Sequence, residues 1–307
     1  MTGRRTGPFA AVLAATGVWS FGGVLAKSAG TSGLATTFWR LWMAAALLVV
    51  ISLARSQMPT RAELRRSVVA GVLFAANLAL FFTALESISV ASALVIASLT
   101  PVGMLPIATR LLGERLTATK VACALVAVSA AIVAVLASPR PTSGSRSTAL
   151  GYLFVTLAVI TWLGYLTISK QVRSGIRTVP FMVSITVVAA VVMTPVMLLR
   201  GHGDRPTTGT GWIWIVLLAL GPGIAGHGLV AWVQDKIDAS VTAVLMQAEP
   251  VGASVAAYVF LHERVSLAQG LAMAVVIVAL CLLMLVESRP VPDGPSPVSL
   301  GVDATHP

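Results

Sequence analysis

The sequence predicts an all-α membrane protein: ten transmembrane helices arranged as two inverted five-helix repeats. Three observations predict it. The 307-residue chain is 57% hydrophobic and only 10% charged, with a mean hydropathy of +0.91, whereas soluble domains carry about 25% charge. Ten apolar runs can be marked along it, each near the ~20 residues that a helix needs to cross a bilayer. They are rich in Ala, Leu and Val and lack the ~10-residue polarity alternation of a membrane barrel. Finally, the sequence repeats itself. Pro101, Gly103, Glu114 and Arg115 recur as Pro250, Gly252, Glu263 and Arg264 with one constant offset of 149.

The first run, residues 8–26, follows Arg4 and Arg5 and has the length of a signal peptide. Its Trp19 and Lys27 recur as Trp162 and Lys170, offset 143, at the end of an internal run that nothing would cleave. The first run therefore reads as a retained helix. The second, 34–54, carries Arg40 and is followed by a basic linker, 55–66. The third, fourth and fifth runs cover 67–85, 90–112 and 116–137. Residues 138–148 are rich in Pro, Gly and Ser and read as a linker at the junction of two halves. The first repeat is then 8–137 and the second 149–287, with runs at 149–169, 179–199, 212–233, 240–261 and 267–286. Residues 288–307 hold five prolines and little apolar material, which predicts a disordered cytoplasmic tail.

The net charge of +10 sits between the apolar runs rather than in a nucleic-acid-binding patch. With the N-terminus inside, inner segments hold fourteen Lys and Arg and outer segments six, with Arg40 inside a span, which accounts for all 21. That asymmetry predicts a multi-pass protein of the cell inner membrane with both termini cytoplasmic. Five helices per half is an odd number, so the second half must run upside down relative to the first. Such inverted repeats place the binding site of a secondary transporter near the midplane. Cys123 and Cys281 lie inside apolar runs, so no disulfide framework or metal-ligand spacing is present, and no cofactor is expected. No GxxxxGK[ST] loop occurs, so a gradient, not a nucleotide, should drive transport.

Glu249 is the leading candidate for chemistry. It lies nine residues into the ninth run, ~13 Å deep at ~1.5 Å per residue, close to the middle of a ~30 Å core. An ionisable group there is costly and marks function by default. It could carry a coupling proton or hold a cationic substrate; the bland alternative is a protonated acid bonded to a neighbouring helix. Pro250 follows it and Pro101 stands at the equivalent place, so the two are candidate hinges. Each denies a hydrogen bond to the carbonyl four residues earlier, Met246 and Ala97. Gln247 and Thr100 join the site through these prolines. Arg40, between Trp39 and Trp42, either faces the cavity or snorkels to the outer interface, and the second reading is favoured. Trp19, Phe81, Trp162, Tyr165 and Trp232 could line a site for a ring or cation or serve as packing and interfacial anchors. Asn77 and His227 lie at membrane depth in the corresponding third and eighth runs, and could bind substrate or bond across helices. Glu114-Arg115 and Glu263-Arg264 sit at loop edges and read mainly as turn geometry, with a gating ion pair as the lesser alternative, and Lys27 and Lys170 read as interface anchors. Ser266 with Gln269 forms a capping-box pattern. Gly270 and Ala274 form a small-xxx-small pair that could support a homodimer through the fifth and tenth helices.

The chain resembles the EamA-type members of the drug/metabolite transporter superfamily. The resemblance rests on Trp19-Ser20 with Lys27, on Arg40, on Phe82-Thr83-Ala84-Leu85, and on Pro101-Val102 with Leu112-Gly113-Glu114-Arg115-Leu116-Thr117. Their counterparts Glu249-Pro250-Val251 and His262-Glu263-Arg264 extend it over about residues 8 to 287. It departs at His262, where the family usually has Gly, and Asn77 and His227 are not family hallmarks. The resemblance implies transport of small metabolites across the inner membrane, often outward; the expected solute is an amino acid, a nucleoside-like or a cationic compound, and proton coupling rests on the depth of Glu249 alone. A small-multidrug-type exchanger would carry an essential acid in its first helix; residues 8–26 have none, and Glu249 would have to stand in. The rival from another class is an intramembrane serine protease, since Gly30-Thr31-Ser32-Gly33 matches a rhomboid-like GxSG and His227 could act as its base. An N-cap is the ordinary role for Ser32, and an enzyme leaves the repeat unexplained.

Overall fold

The computed structural model describes residues 6–88, 90–136, 149–200, 204–261 and 266–287. The linker at 138–148, the tail at 288–307 and the Glu263-Arg264 half of the repeated motif lie outside the described residues. Among these, the chain is all-helical. Its elements are α1 (Thr6–Trp19), α2 (Gly22–Ser28), α3 (Gly33–Ala54), α4 (Arg61–Ser87), α5 (Val90–Ala97), α6 (Thr100–Leu112) and α7 (Ala118–Leu136). They continue with α8 (Ala149–Arg173), α9 (Thr178–Arg200), α10 (Gly209–Leu218), a π-helical segment (Ala219–Gly226), α11 (His227–Val233), α12 (Ala239–Leu245), α13 (Ala248–Leu261) and α14 (Leu267–Glu287).

Among the described residues seven stretches are long and apolar enough to cross a membrane, and two shorter apolar helices, Ala118–Val133 and Gly270–Val286, accompany them. Large apolar side chains such as Leu53, Leu125, Ile160, Leu199, Leu271 and Leu285 stand exposed on the outside. A soluble monomer rarely shows that much apolar surface; in a bilayer it is the ordinary exterior.

The helix pairs come in exchanged sets. α4, from the third apolar run, packs on α8, from the sixth; the π segment and α11, from the eighth, pack on α1, from the first. α4 also packs on α9, and α3 on the π segment, which is the same exchange again. α3 with α9, α6 with α12 and α7 with α14 pair each run with its own counterpart. The duplication in sequence is thus a duplication in packing. The helices chosen for a dimer contact, α7 and α14, spend one face on each other within the chain.

Four apolar runs read as continuous helices are interrupted. The first breaks at Ser20-Phe21, the fourth at Ser98-Leu99, the ninth at Met246-Gln247, and the eighth widens into the π segment. Pro101 and Pro250 do not kink a helix from within. They stand in the first turn of α6 and α13, where a missing N–H costs nothing. Pro222 does lie inside the π segment; it cannot donate to Leu218, and the wider turn absorbs the loss.

One end of the bundle is held by charge. The buried Glu114 carboxylate accepts from the Ala239 amide at 2.6 Å, the Ser240 amide at 3.1 Å and the Ser240 hydroxyl at 2.7 Å. It therefore caps α12, an element of the other repeat. Lys170 Nζ stands 3.3 Å from the same carboxylate and donates to the Ile237 carbonyl at 2.6 Å. Asp238, the residue at the N-cap position, makes no capping bond and instead pairs with Lys120 at 2.5 Å. Glu114 is thus more than turn geometry, and Lys170 is more than an interface anchor. The turn reading missed this because the partner lies 125 residues away in sequence.

At another connection Asp204 accepts from Thr31 Oγ1 at 2.5 Å and from the hydroxyl and amide of Ser32, the N-cap of α3. Partial burial pushes this carboxyl up, but the Ser32 and Thr31 hydrogen bonds and the nearby Arg200 outweigh it and hold it below the usual range. A depressed carboxyl stabilises the fold above its unfolded pKa, about 3.9, and loses that contribution as pH falls through its folded value. Asp204→Asn should therefore melt below the parent at neutral pH, with the gap closing as melts are repeated below about pH 4; a gap independent of pH removes the charge from the account. Glu114→Ala should cost about 2–4 kcal/mol of unfolding free energy in detergent, because it strands buried donors and Lys170. Arg115→Ala, on the exposed neighbour, should cost about 0.5 kcal/mol or less. Equal losses would end the capping account.

Candidate functional site

The interruptions meet around one cavity of about 160 Å³. Its wall takes Trp19, Ser20, Gly22 and Gly23 from the first run, Arg40 from α3, and Asn77, Phe81 and Phe82 from α4. Val90, Leu94, Ala97, Ser98 and Thr100 come from the fourth run, Ala158 and Trp162 from α8, Pro222 and His227 from the eighth run. Met246, Gln247, Glu249, Pro250 and Ala253 complete it.

Each break is satisfied locally, as nonaqueous surroundings require. The Met246 carbonyl takes the Glu249 amide at 3.0 Å, and the Ala97 carbonyl takes the Thr100 hydroxyl at 2.7 Å. The carbonyls that the prolines were expected to leave open are therefore occupied. Gln247 Nε2 donates to the Ser98 carbonyl at 3.1 Å. Ser98 and Gln247 are 149 residues apart, which is the repeat offset, so equivalent positions of the two halves bond directly to each other. At the first break Ser20 Oγ bridges the Thr16 carbonyl, 2.8 Å, and the Glu249 carbonyl, 3.1 Å.

Two glycines set the close approaches. A Cβ on Gly252 would stand 2.2 Å from Ser20 Oγ, and one on Gly226 would stand 2.3 Å from Trp19 Nε1. Trp19 is fixed there by donating to the Pro222 carbonyl at 3.0 Å. Around it Trp162 lies edge-on at 5.7 Å and His227 tilts at 4.8 Å; Phe74 packs on the other side of His227 at 4.7 Å. The π segment ends immediately before His227, so the wider turn sets how the imidazole enters this cluster.

The polar wall residues divide into two groups. Thr100 and Gln247 are committed to backbone carbonyls, and Asn77 donates to the Ala158 carbonyl at 2.8 Å. Arg40, His227 and Glu249 are not committed. Arg40 is 2% exposed, so it does not snorkel to an interface; its guanidinium lies over Phe82 at 5.4 Å and its Nη2 has no hydrogen bond. Nδ1 of His227 likewise has none. Among the described residues the Glu249 carboxyl makes no hydrogen bond or ion pair, and Arg40 does not neutralise it. A guanidinium stacked over Phe82 with one nitrogen unbonded, and a carboxyl with no ion pair, thus face one cavity.

Of the sequence candidates, Glu249, Gln247, Thr100, His227, Asn77, Trp19, Arg40, Phe81, Trp162 and Pro250 come together on this wall. Three do not. Tyr165 stacks behind Trp162 at 5.1 Å, Trp232 is exposed with Lys236 over its ring at 4.5 Å, and Pro101 is buried in the first turn of α6. Ser20 and Phe82 entered the sequence analysis only as motif residues, and neither they nor Ser98 and Pro222 were among the site candidates. Gly221-Pro222-Gly223 was a visible breaker signal; Ser20 and Ser98 act through helix breaks that periodicity does not reveal. Ser32, capping α3, is not on the wall that His227 faces.

Gly252→Ala should break the approach of Ser20 to α13 and lower the melting temperature by several degrees. Gly228→Ala, whose Cβ would meet nothing within 4 Å, should leave it within about one degree. Melting curves in detergent compare the two directly, and equal shifts would remove the packing argument at Gly252.

Among curated proteins none matches this sequence. A solved structure titled "Crystal structure of protein" superposes with a TM-score of 0.78 at 23% identity, covering 93% of this chain and 100% of that one. At that identity the likeness is one of fold. The model of the EamA-like transporter family matches residues 5–136 and again 149–285, the same two halves that the packing pairs, and the chain belongs to this family, within the drug/metabolite transporter superfamily.

Proposed function

We propose that the chain is a secondary transporter exporting a small zwitterionic metabolite of the amino-acid class, by alternating access, across the inner membrane. In this reading it crosses the bilayer ten times as two inverted repeats, with both termini cytoplasmic. The one observation that carries the substrate class is the pair of uncommitted groups, Arg40 and Glu249, on the wall of one cavity. A guanidinium fork suits a carboxylate, and a carboxylate suits an ammonium group. One solute bearing both would remove two uncompensated charges at once, each of which costs several kcal/mol when left buried. The size agrees: a cavity of about 150 Å³ takes benzene, so this one suits a single-ring or amino-acid solute rather than a drug-sized molecule.

The same pairing supplies coupling. Ammonium and proton compete for the Glu249 carboxylate, so the site empties of one as it fills with the other. Trp19, Phe81 and Trp162 offer faces to the rest of the solute. Pro101 and Pro250, beside the two breaks, let the half-helices pivot as the cavity turns from one side to the other.

The test is thermal stabilisation of purified protein by ligands at millimolar concentration. A ligand at 100 times its Kd adds about 2.7 kcal/mol to the folded state. Neutral α-amino acids should raise the melting temperature, while the matching amines, which lack the carboxylate, and the matching acids, which lack the ammonium, should not. Glu249→Gln and Arg40→Gln should each abolish the shift. If amines stabilise as well as amino acids, the Arg40 half of the proposal is wrong; if acids do, the Glu249 half is.

A further inference from the structure

We propose that the stretch of α8 beyond Trp162, carrying Tyr165 and Ser169, is a second limb of the transport path. It is sealed in this conformation and opens when Glu114 releases α12. The inference rests on the transporter reading but not on the amino-acid assignment. Three independent observations carry it.

The cavity treats the two repeats unequally. In the first run it extends past Trp19 to Gly22 and Gly23; in α8 it stops at Trp162. The offset of 143 that carries Trp19 to Trp162 also carries Gly22 to Tyr165 and Ala26 to Ser169. Two halves that exchange conformations must expose these positions in turn. The state opposite to this one therefore opens past Trp162 and closes past Trp19.

The sealed stretch is also polar where a permanent core would be apolar. Tyr165 and Ser169 are both 0% exposed, one helical turn apart, and among the described residues neither hydroxyl has a hydrogen-bond partner beyond the other. The next turn brings Arg173, buried and bonded to the Ala231 carbonyl at 2.7 Å and paired with Asp235 at 3.3 Å. Two buried hydroxyls that can turn only to each other leave hydrogen-bonding capacity unused, which is costly, and it is met if water reaches them in another state.

The seal has a releasable latch. Glu114 of the first repeat holds the N-terminus of α12, and Lys170, the residue after Ser169, shares its carboxylate. Lys120 of α7 pairs alongside with Asp238, the N-cap residue of α12. Weakening Glu114 loosens the end of the bundle toward which Tyr165 and Ser169 lead.

Thiol accessibility tests this in detergent, in a chain carrying Cys123→Ala and Cys281→Ala. Ser169→Cys should react slowly with a water-soluble maleimide, and at least tenfold faster when Glu114→Gln is added. Gly22→Cys, already on the open wall, should react several-fold more slowly in the same background, and Ala189→Cys, buried in α9, should not change. Ser169→Cys unreactive with and without Glu114→Gln overturns the proposal, as does a rise shared by Ala189→Cys, which means general loosening. A rise at Ser169→Cys without a fall at Gly22→Cys overturns it too, because the two limbs would then not alternate. If Ser169→Cys does not fold, hydroxyl-radical oxidation of the native Tyr165, read by mass spectrometry, replaces it: oxidation must rise on Glu114→Gln, and no rise overturns the proposal. Neither readout uses a substrate, so the amino-acid reading and this one can fail separately.

Discussion

In hydrocarbon a helix can be interrupted only if every backbone group released at the break finds another partner. That constraint organises this molecule. Breaks at Ser20, Ser98 and Met246 and the widened turn around Pro222 bring irregular backbone to one place, and each tolerates the others. Gln247 satisfies Ser98, Ser20 satisfies the Glu249 carbonyl, and Trp19 satisfies Pro222. None of the breaks could sit alone against lipid. Collected, they enclose a polar space within an apolar bundle, and the half-helices on either side keep the freedom of separate rods.

The repeat explains why the parts fit. Gly252 admits Ser20, and its counterpart Gly103 admits Leu163, whose Cδ1 would lie 2.6 Å from an added Cβ. Ser20 and Leu163 are themselves related by the offset of 143. The same close approach thus occurs twice, with a hydroxyl at one copy and an isobutyl group at the other. Duplication fixed the backbone contact, and divergence placed the polar group only on the side where Glu249 needs its carbonyl held. A similar division separates Gly22 from Tyr165. Symmetry gives the framework, and the departures from it give the site.

Much of this was legible in the sequence. Apolar run lengths marked the helices, the offset of 149 found the halves, and depth along the ninth run singled out Glu249 before any geometry. Arg40 was misjudged because flanking tryptophans signal an interface equally well, and only packing over Phe82 decides where the guanidinium turns. Glu114 was underrated because a residue at a loop edge has an obvious local role, while its true partners are the amides of Ala239 and Ser240 in the other half. The breaks escaped notice because a helix interrupted for two residues keeps its hydrophobic composition. Tyr165 and Trp162 lie three residues apart on α8 and looked alike in the sequence; which of them meets the cavity depends on where the seal falls, a property of the conformation and not of the residues.

The arrangement of charge argues for why the cavity leaves Arg40 and Glu249 apart. An ion pair between them would satisfy both and leave a solute little to gain, since replacing one buried pair by another is close to neutral in free energy. Kept separate, the two are neutralised together by the zwitterion of the proposed reading, whereas a solute bringing one charge leaves the other group unpaired. The committed polar residues serve the same end. Asn77, Thr100 and Gln247 donate to backbone carbonyls, so they shape the wall and do not add uncommitted charge to it. At the Glu114 end the opposite choice was made: Glu114 with Lys170, and Lys120 with Asp238, are paired across the two repeats. Pairing across an interface holds it shut, and withholding a pair keeps a site open; the chain uses its few charged residues for one purpose at the end of the bundle and for the other at its centre.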